Sequence, residues 1–109
     1  MNDILLVFTN LPDDASAERL THLIIEARAA ACVSRLAPCA STYRWKDNIE
    51  TSIEVPLMIK TTRTAYPPLE KLIREAHPYE LPEIIAVSVT AGLPDYLDWV
   101  DQESIKLKE

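Results

Sequence analysis

Chemistry is concentrated in the stretch His77-Pro78-Tyr79-Glu80-Leu81-Pro82-Glu83, where an imidazole, a phenol and two carboxylates stand among prolines. An imidazole can ligate a metal or exchange a proton near neutral pH. Pro78 and Pro82 fix their own φ and push the residue before each toward extended geometry, so the stretch is a rigid, polar joint that cannot prolong a helix. Each group also has a plainer role. His77 is either a metal ligand or a cation at a helix C-terminus, where the macrodipole favours positive charge. Glu80 and Glu83 either complete an oxygen-rich site or accept hydrogen bonds from the joint's own amides.

The flanking sequence must hold this joint in place. Ile4 to Thr9 is a continuous apolar run bounded by Asn10 and Pro12, which suits a strand central in its sheet. Asp13 and Asp14 offer an N-cap to a helix whose apolar set is Leu20, Leu23, Ile24, Ala27 and Ala31. Cys32 to Trp45 reads as one long strand broken by a bulge or kink at Pro38. Lys46-Asp47-Asn48 makes the turn, with Asp47 and Asn48 the residues best able to take left-handed geometry. On the return strand Ile53, Val55, Leu57 and Ile59 share one face, and Pro56 marks an edge or a bulge. Thr64 is the expected cap of a second helix, with Pro67 and Pro68 in its first turn and Leu69, Leu72, Ile73 and Ala76 as its buried stripe. That helix ends at His77. A strand over Ile84 to Thr90 follows, then a short helix carrying Leu93, Tyr96, Leu97 and Val100. The order βαββαβ plus a helical tail predicts an α+β, ferredoxin-like sandwich, two helices on one face of an antiparallel sheet.

Residues 1–109 are expected to form one domain. Eleven Lys and Arg against seventeen Asp and Glu give a net charge of −6 with both signs scattered. An acidic surface of this kind disfavours nucleic acid as a partner, because phosphate neutralisation needs a basic face. The run Ile4 to Phe8 is too short for a signal-peptide core or a membrane span, so no membrane partner is expected and the location is read as cytoplasmic. Gly92 is the only glycine. Glycine-rich phosphate loops, the dinucleotide fingerprint and the nucleophile elbow are therefore absent, and no enzyme is expected. Cys32 and Cys39 do not make a disulfide framework, and no Cys-x-x-Cys or His-x-x-x-His spacing supports a structural zinc site.

Five separated motifs resemble the CutA family of divalent-cation-tolerance proteins. They are Ala31-Cys32-Val33, Tyr43-x-Trp45, Ile59-Lys60-Thr61, the joint from His77 to Ile84, and Tyr96-Leu97-x-Trp99. The resemblance implies a ferredoxin-like subunit in a stable homotrimer, its long second and third strands reaching neighbouring subunits. It further implies tolerance of copper or other divalent metals. Ligands proposed in that family are a cysteine at the end of the first strand and two adjacent histidines before the Pro-Tyr. Here those places read Phe8-Thr9 and Ala76-His77, so His77 is the metal ligand that remains. The family's Pro-Gly in the second strand is Pro38-Cys39 here, and Cys39 is a candidate soft ligand for Cu(I).

A trimer also accords with the hairpin from about residue 32 to 62, which is long for one small domain and has edges that need pairing. Tyr43, Trp45 and Tyr79 are candidates either to line a ligand pocket between subunits or to pack the interface. Lys60 either meets an anion or pairs with Glu80 or Glu83, and Cys32 reads as a small buried hydrophobe. His22, on the wet side of its helix, is assigned no role. The expected function is thus a trimeric, non-enzymatic protein that binds copper or another divalent metal at His77, with Tyr43, Trp45, Lys60, Tyr79, Glu80 and Glu83 around a binding site. The alternative is a PII-like trimeric regulator that binds a small molecule in clefts between subunits. An acylphosphatase-like hydrolase shares the architecture, but its glycine- and arginine-bearing loop has no counterpart around Phe8 to Asp14.

Overall fold

The computed structural model describes residues 3–106. Strand β1 (Ile4–Leu11) and strand β4 (Asn48–Thr62) form the centre of an antiparallel sheet whose order is β2-β4-β1-β5. Strands β2 (Cys32–Arg35) and β3 (Cys39–Trp45) both pair with β4, and β5 (Ile85–Ser88) pairs with β1 at the outer edge. Helices α1 (Asp14–Glu26) and α2 (Tyr66–Ala76) connect the strands, and α3 (Pro94–Glu103) follows β5. With β2 and β3 taken as one interrupted strand, this is the ferredoxin-like order expected.

Period-two burial sorts the sheet into two faces. Leu5, Val7 and Leu11 of β1 and Val55, Leu57 and Ile59 of β4 pack with Ala17, Leu20 and Ile24 of α1 and Leu69 and Ile73 of α2. This is the core. The opposite face carries Leu6, Phe8, Met58 and Lys60, all half-buried, beside the exposed Ile85 and Val87 of β5. Helix α3 covers one end of that face: Val100 is buried and the Lys60 ammonium lies 5.8 Å from the centre of the Tyr96 ring.

Several local expectations are corrected. The α1 stripe is narrower than its periodicity predicts, with Leu23 and Ala27 exposed at the rim. Ile53 is 65% exposed although it follows the parity of Val55 and Leu57, because β4 has by then passed beyond the helices. Left-handed geometry at the hairpin turn falls on Lys46 (φ 49°) and Asp47 (φ 67°), not on Asp47 and Asn48. A two-residue turn needs positive φ at both central positions to match the strand twist. The cap of α2 is likewise displaced. The helix starts after Ala65, which caps it without a side-chain hydrogen bond, and the Ala65 amide donates to Thr62 Oγ1 at 3.1 Å, so Thr64 is not the cap. Asp13 does cap α1, its carboxylate accepting from the Ser16 amide at 2.8 Å.

The expected interruption at Pro38 is a bulge. Arg35 pairs with Leu57 and Cys39 with Glu54, so three residues on one strand oppose two on the other and the register moves by one. Pro56 stands opposite the break, where its carbonyl accepts from the Leu36 amide at 2.9 Å. Its missing N–H therefore costs no regular ladder bond even in a central strand. Beyond the break, β3 and the first part of β4 project as an arm, and the described chain is elongated at 46 × 26 × 23 Å.

Leu57 is wholly buried at the middle of this arrangement. Leu57→Ala is expected to lower stability by about 2–5 kcal/mol through the cavity it leaves. Denaturant unfolding at fixed protein concentration checks this, and a midpoint unchanged from the parent would contradict the placement of the core.

Candidate functional site

The His-Pro-Tyr-Glu joint leaves α2 at the end of β1 and turns back across the stem of the β3–β4 arm. Between joint and arm lies a cleft of about 690 Å³. Tyr43 and Trp45 of β3, Glu50 and Glu54 of β4, Asn10 of β1, and Tyr79, Glu80 and Glu83 of the joint all line it. Five of the residues singled out in the sequence are thus brought together.

Glu54 organises the cleft. It is buried, and its carboxylate accepts from the Tyr79 phenol at 2.8 Å and from the Asn10 side-chain amide at 3.3 Å. Burial, then the hydrogen bond to Glu54 and the charge of Glu54, push the Tyr79 hydroxyl well above the usual phenol range. Tyr79 is accordingly a neutral donor at any physiological pH. On the arm side, Tyr43 and Ser52 share a hydroxyl hydrogen bond of 2.8 Å across the hairpin. In the sequence Glu54 merely alternates with Ile53 and Val55, and neither it nor Asn10 belongs to a motif. The available signal was a carboxylate next to the strand break, opposite Cys39.

His77 is buried in the same network. The Tyr79 amide donates to Nδ1 at 3.1 Å, so Nδ1 is the acceptor and Nε2 carries the proton that it donates to the Asn10 carbonyl at 2.7 Å. Desolvation holds the imidazole below its ordinary pKa, outweighing the opposing pull of that hydrogen bond and of the Glu54 charge. The ring is therefore a neutral brace between β1 and the joint. Metal ligation through either nitrogen would require breaking one of these two hydrogen bonds. Among the described residues no three His, Cys, Asp or Glu side chains converge to hold a metal ion.

The remaining candidates lie elsewhere or act differently. Lys60 sits in a second, apolar cavity of about 350 Å³ beneath α3, over Tyr96, and does not pair with Glu80 or Glu83. Neither of those two exposed carboxylates bonds to a backbone amide among the described residues. Cys32 and Cys39 are free and half-buried, and Cys39 stands opposite Glu54 in the ladder, with its sulfur 3.9 Å from Ser41 Oγ.

The depressed pKa fixes the sign of a pH effect. The unfolded chain protonates its imidazole near 6.5 while the fold resists. The stability contributed by neutral His77 is present above that value and lost as pH falls through the lower folded pKa. Unfolding midpoints of the parent and of His77→Gln, taken from about pH 8 to about pH 5, should therefore converge as pH falls. Parallel curves would contradict the neutral brace.

Comparison with known proteins places these features in a family. Residues 5–103 match the family model described as CutA1 divalent ion tolerance protein. The mouse protein named Protein CutA is 41% identical over 95 residues, covering 87% of this chain and 54% of that protein. The chain thus spans about half the length of this mammalian relative. A crystal structure of CutA from Xylella fastidiosa superposes with a TM-score of 0.90 at 44% identity, covering 93% of this chain and 97% of the other. The PII-like protein CutA from Nostoc, solved in apo form, gives 0.86 at 37%, covering 93% and 97%. Sequence and fold agree over almost their whole shared extent, and the chain belongs to the CutA1 family of divalent ion tolerance proteins.

Proposed function

We propose that this chain is a homotrimeric, non-enzymatic binding protein of the regulatory, PII-like kind, and that its ligand site is the cleft between the arm and the joint. One observation carries the reading: Tyr43, Trp45, Tyr79, Glu80 and Glu83 line a single cavity of ligand size, floored by a fixed carboxylate. Support for assembly comes from the apolar groups left outside the core. Ile49 and Ile53 on the arm are 71% and 65% exposed, and Ile85 and Val87 stand on the unpaired edge strand. An arm and an open edge on each subunit can satisfy one another around a three-fold axis. The likeness to the PII-like protein from Nostoc supports the regulatory reading.

A second reading, binding of copper or another divalent cation, is favoured by membership of a divalent ion tolerance family; the carboxylates of Glu50, Glu80 and Glu83 stand on the cleft wall but do not converge on one point. Those donors are hard oxygens, which suit magnesium, calcium or manganese better than Cu(I). Copper would have to draw on Cys39 or on His77 at the expense of its present hydrogen bonds.

Native mass spectrometry of the purified chain is expected to give a trimer. Ile49→Asp combined with Ile53→Asp should shift it toward monomer, and a parent that is monomeric at micromolar concentration would overturn the assembly. Titration of the parent with copper and with manganese tests the second reading. One ion retained per subunit against a weak chelator supports it, and a bare trimer removes it. Ligands found by screening should perturb the NMR signals of Tyr43 and Tyr79, whereas shifts confined to Tyr96 and its neighbours would move the site beneath α3.

A further inference from the structure

We propose that the cleft recognises an organic cation, a protonated amine carried on an apolar or planar body, and that Glu54 is the carboxylate that meets its charge. This rests on the reading of the cleft as the ligand site and names the chemistry of what enters it.

Glu54 supplies the first observation. It is 7% exposed, forms part of the cleft wall, and accepts hydrogen bonds from neutral donors only, the Tyr79 phenol and the Asn10 amide. No Lys or Arg forms an ion pair with it among the described residues. A carboxylate withdrawn from water without a countercharge is unfavourable, and two neutral bonds leave acceptor capacity unused. A ligand bearing positive charge would supply what the chain does not.

The aromatic wall is the second observation, and it is independent of charge count. Tyr43, Trp45 and Tyr79 line the cleft, and the negative face of an aromatic ring attracts ammonium groups. The chain already uses one of these rings in that way, since the Lys46 ammonium stands 5.7 Å from the centre of the Trp45 ring.

The alternatives fit less well. An anion such as a nucleotide would meet four glutamates and Arg44 as the only Lys or Arg on the wall. A bare metal ion would need ligands that converge, and among the described residues none do. A volume of about 690 Å³ also exceeds what a single ion requires and suits a small organic molecule.

The test is calorimetric titration of the full chain, in its native assembly, with three probes: 3-phenylpropylammonium, its neutral counterpart 3-phenylpropan-1-ol, and ATP. The ammonium is expected to bind roughly tenfold or more tightly than the alcohol, and to weaken as sodium chloride is raised. Glu54→Gln keeps an acceptor for Tyr79 and removes the charge, so it should cancel most of that tenfold preference while leaving the alcohol unchanged. If Glu54→Gln does not fold, the exposed Glu80→Gln and Glu83→Gln replacements reduce the same field, and each should lower ammonium affinity several-fold. Equal binding of ammonium and alcohol, or binding of ATP with the amine ignored, overturns the cationic ligand but leaves the cleft as a ligand site. A cleft that takes none of the three overturns the ligand site itself.

Discussion

The antiparallel pairing of β1 with β4 is the constraint on which the rest of the molecule depends. Eight consecutive pairs, from Ile4 with Thr62 to Leu11 with Val55, fix which side chains of both strands face α1 and α2. A slip of β4 by one residue would exchange Leu57 and Ile59 for Met58 and Lys60 in the core. The same register sets both ends of the sheet. It brings Asn10 beside Pro56 and within reach of Glu54 at one end, and Leu6 beside Lys60 under α3 at the other. Both of the cavities described above are consequences of one ladder.

A chain with a single glycine has to make its tight turns with ordinary residues. Arg28, Lys46 and Asp47 all adopt positive φ. Each such residue is strained by about 1–2 kcal/mol relative to right-handed geometry, and each is held by neighbouring bonds. At the end of α1, the Ala29 amide bonds the Ile24 carbonyl, and the Arg28 carbonyl accepts from the Ile105 amide. At the arm tip the ladder from Trp45–Asn48 back to Cys39–Glu54 serves the same purpose. Proline is used to stop structure: Pro78 ends α2, and Pro38 with Pro56 marks the place where the arm leaves the sheet.

The cleft depends on polar groups whose protonation states are set by burial. Neutral His77, un-ionised Tyr79 and the Glu54 side chain that accepts from it form one connected hydrogen-bonded set. This set couples the end of β1, the stem of the arm and the joint, so the cleft walls are positioned by the fold and not by loop flexibility. A ligand entering the cleft therefore meets a pre-organised surface, and its binding energy is not spent on ordering it.

Much of the fold was legible in the sequence, because apolar periodicity, prolines and caps are local signals. They gave the βαββαβ order, the Asp13 cap, the break at Pro38 and the end of α2 at His77. Motifs and residue chemistry placed Tyr43, Trp45, Lys60, Tyr79, Glu80 and Glu83 around one site, and the cleft gathers all of them but Lys60. What only the tertiary structure decided is set by contacts between distant segments. Ile53 shares the parity of the core but lies where no helix covers it. Lys60 is carried to the far end of β4, away from the joint. Glu54 looks like any outward strand carboxylate until Asn10 and Tyr79 close over it. His77 reads as a free imidazole until both of its nitrogens are engaged, by a carbonyl 67 residues away and by an amide two residues on. Spacing fixes which residues can share a strand or a helix face, whereas burial and hydrogen-bond partners depend on which faces meet, and that is a property of the folded chain.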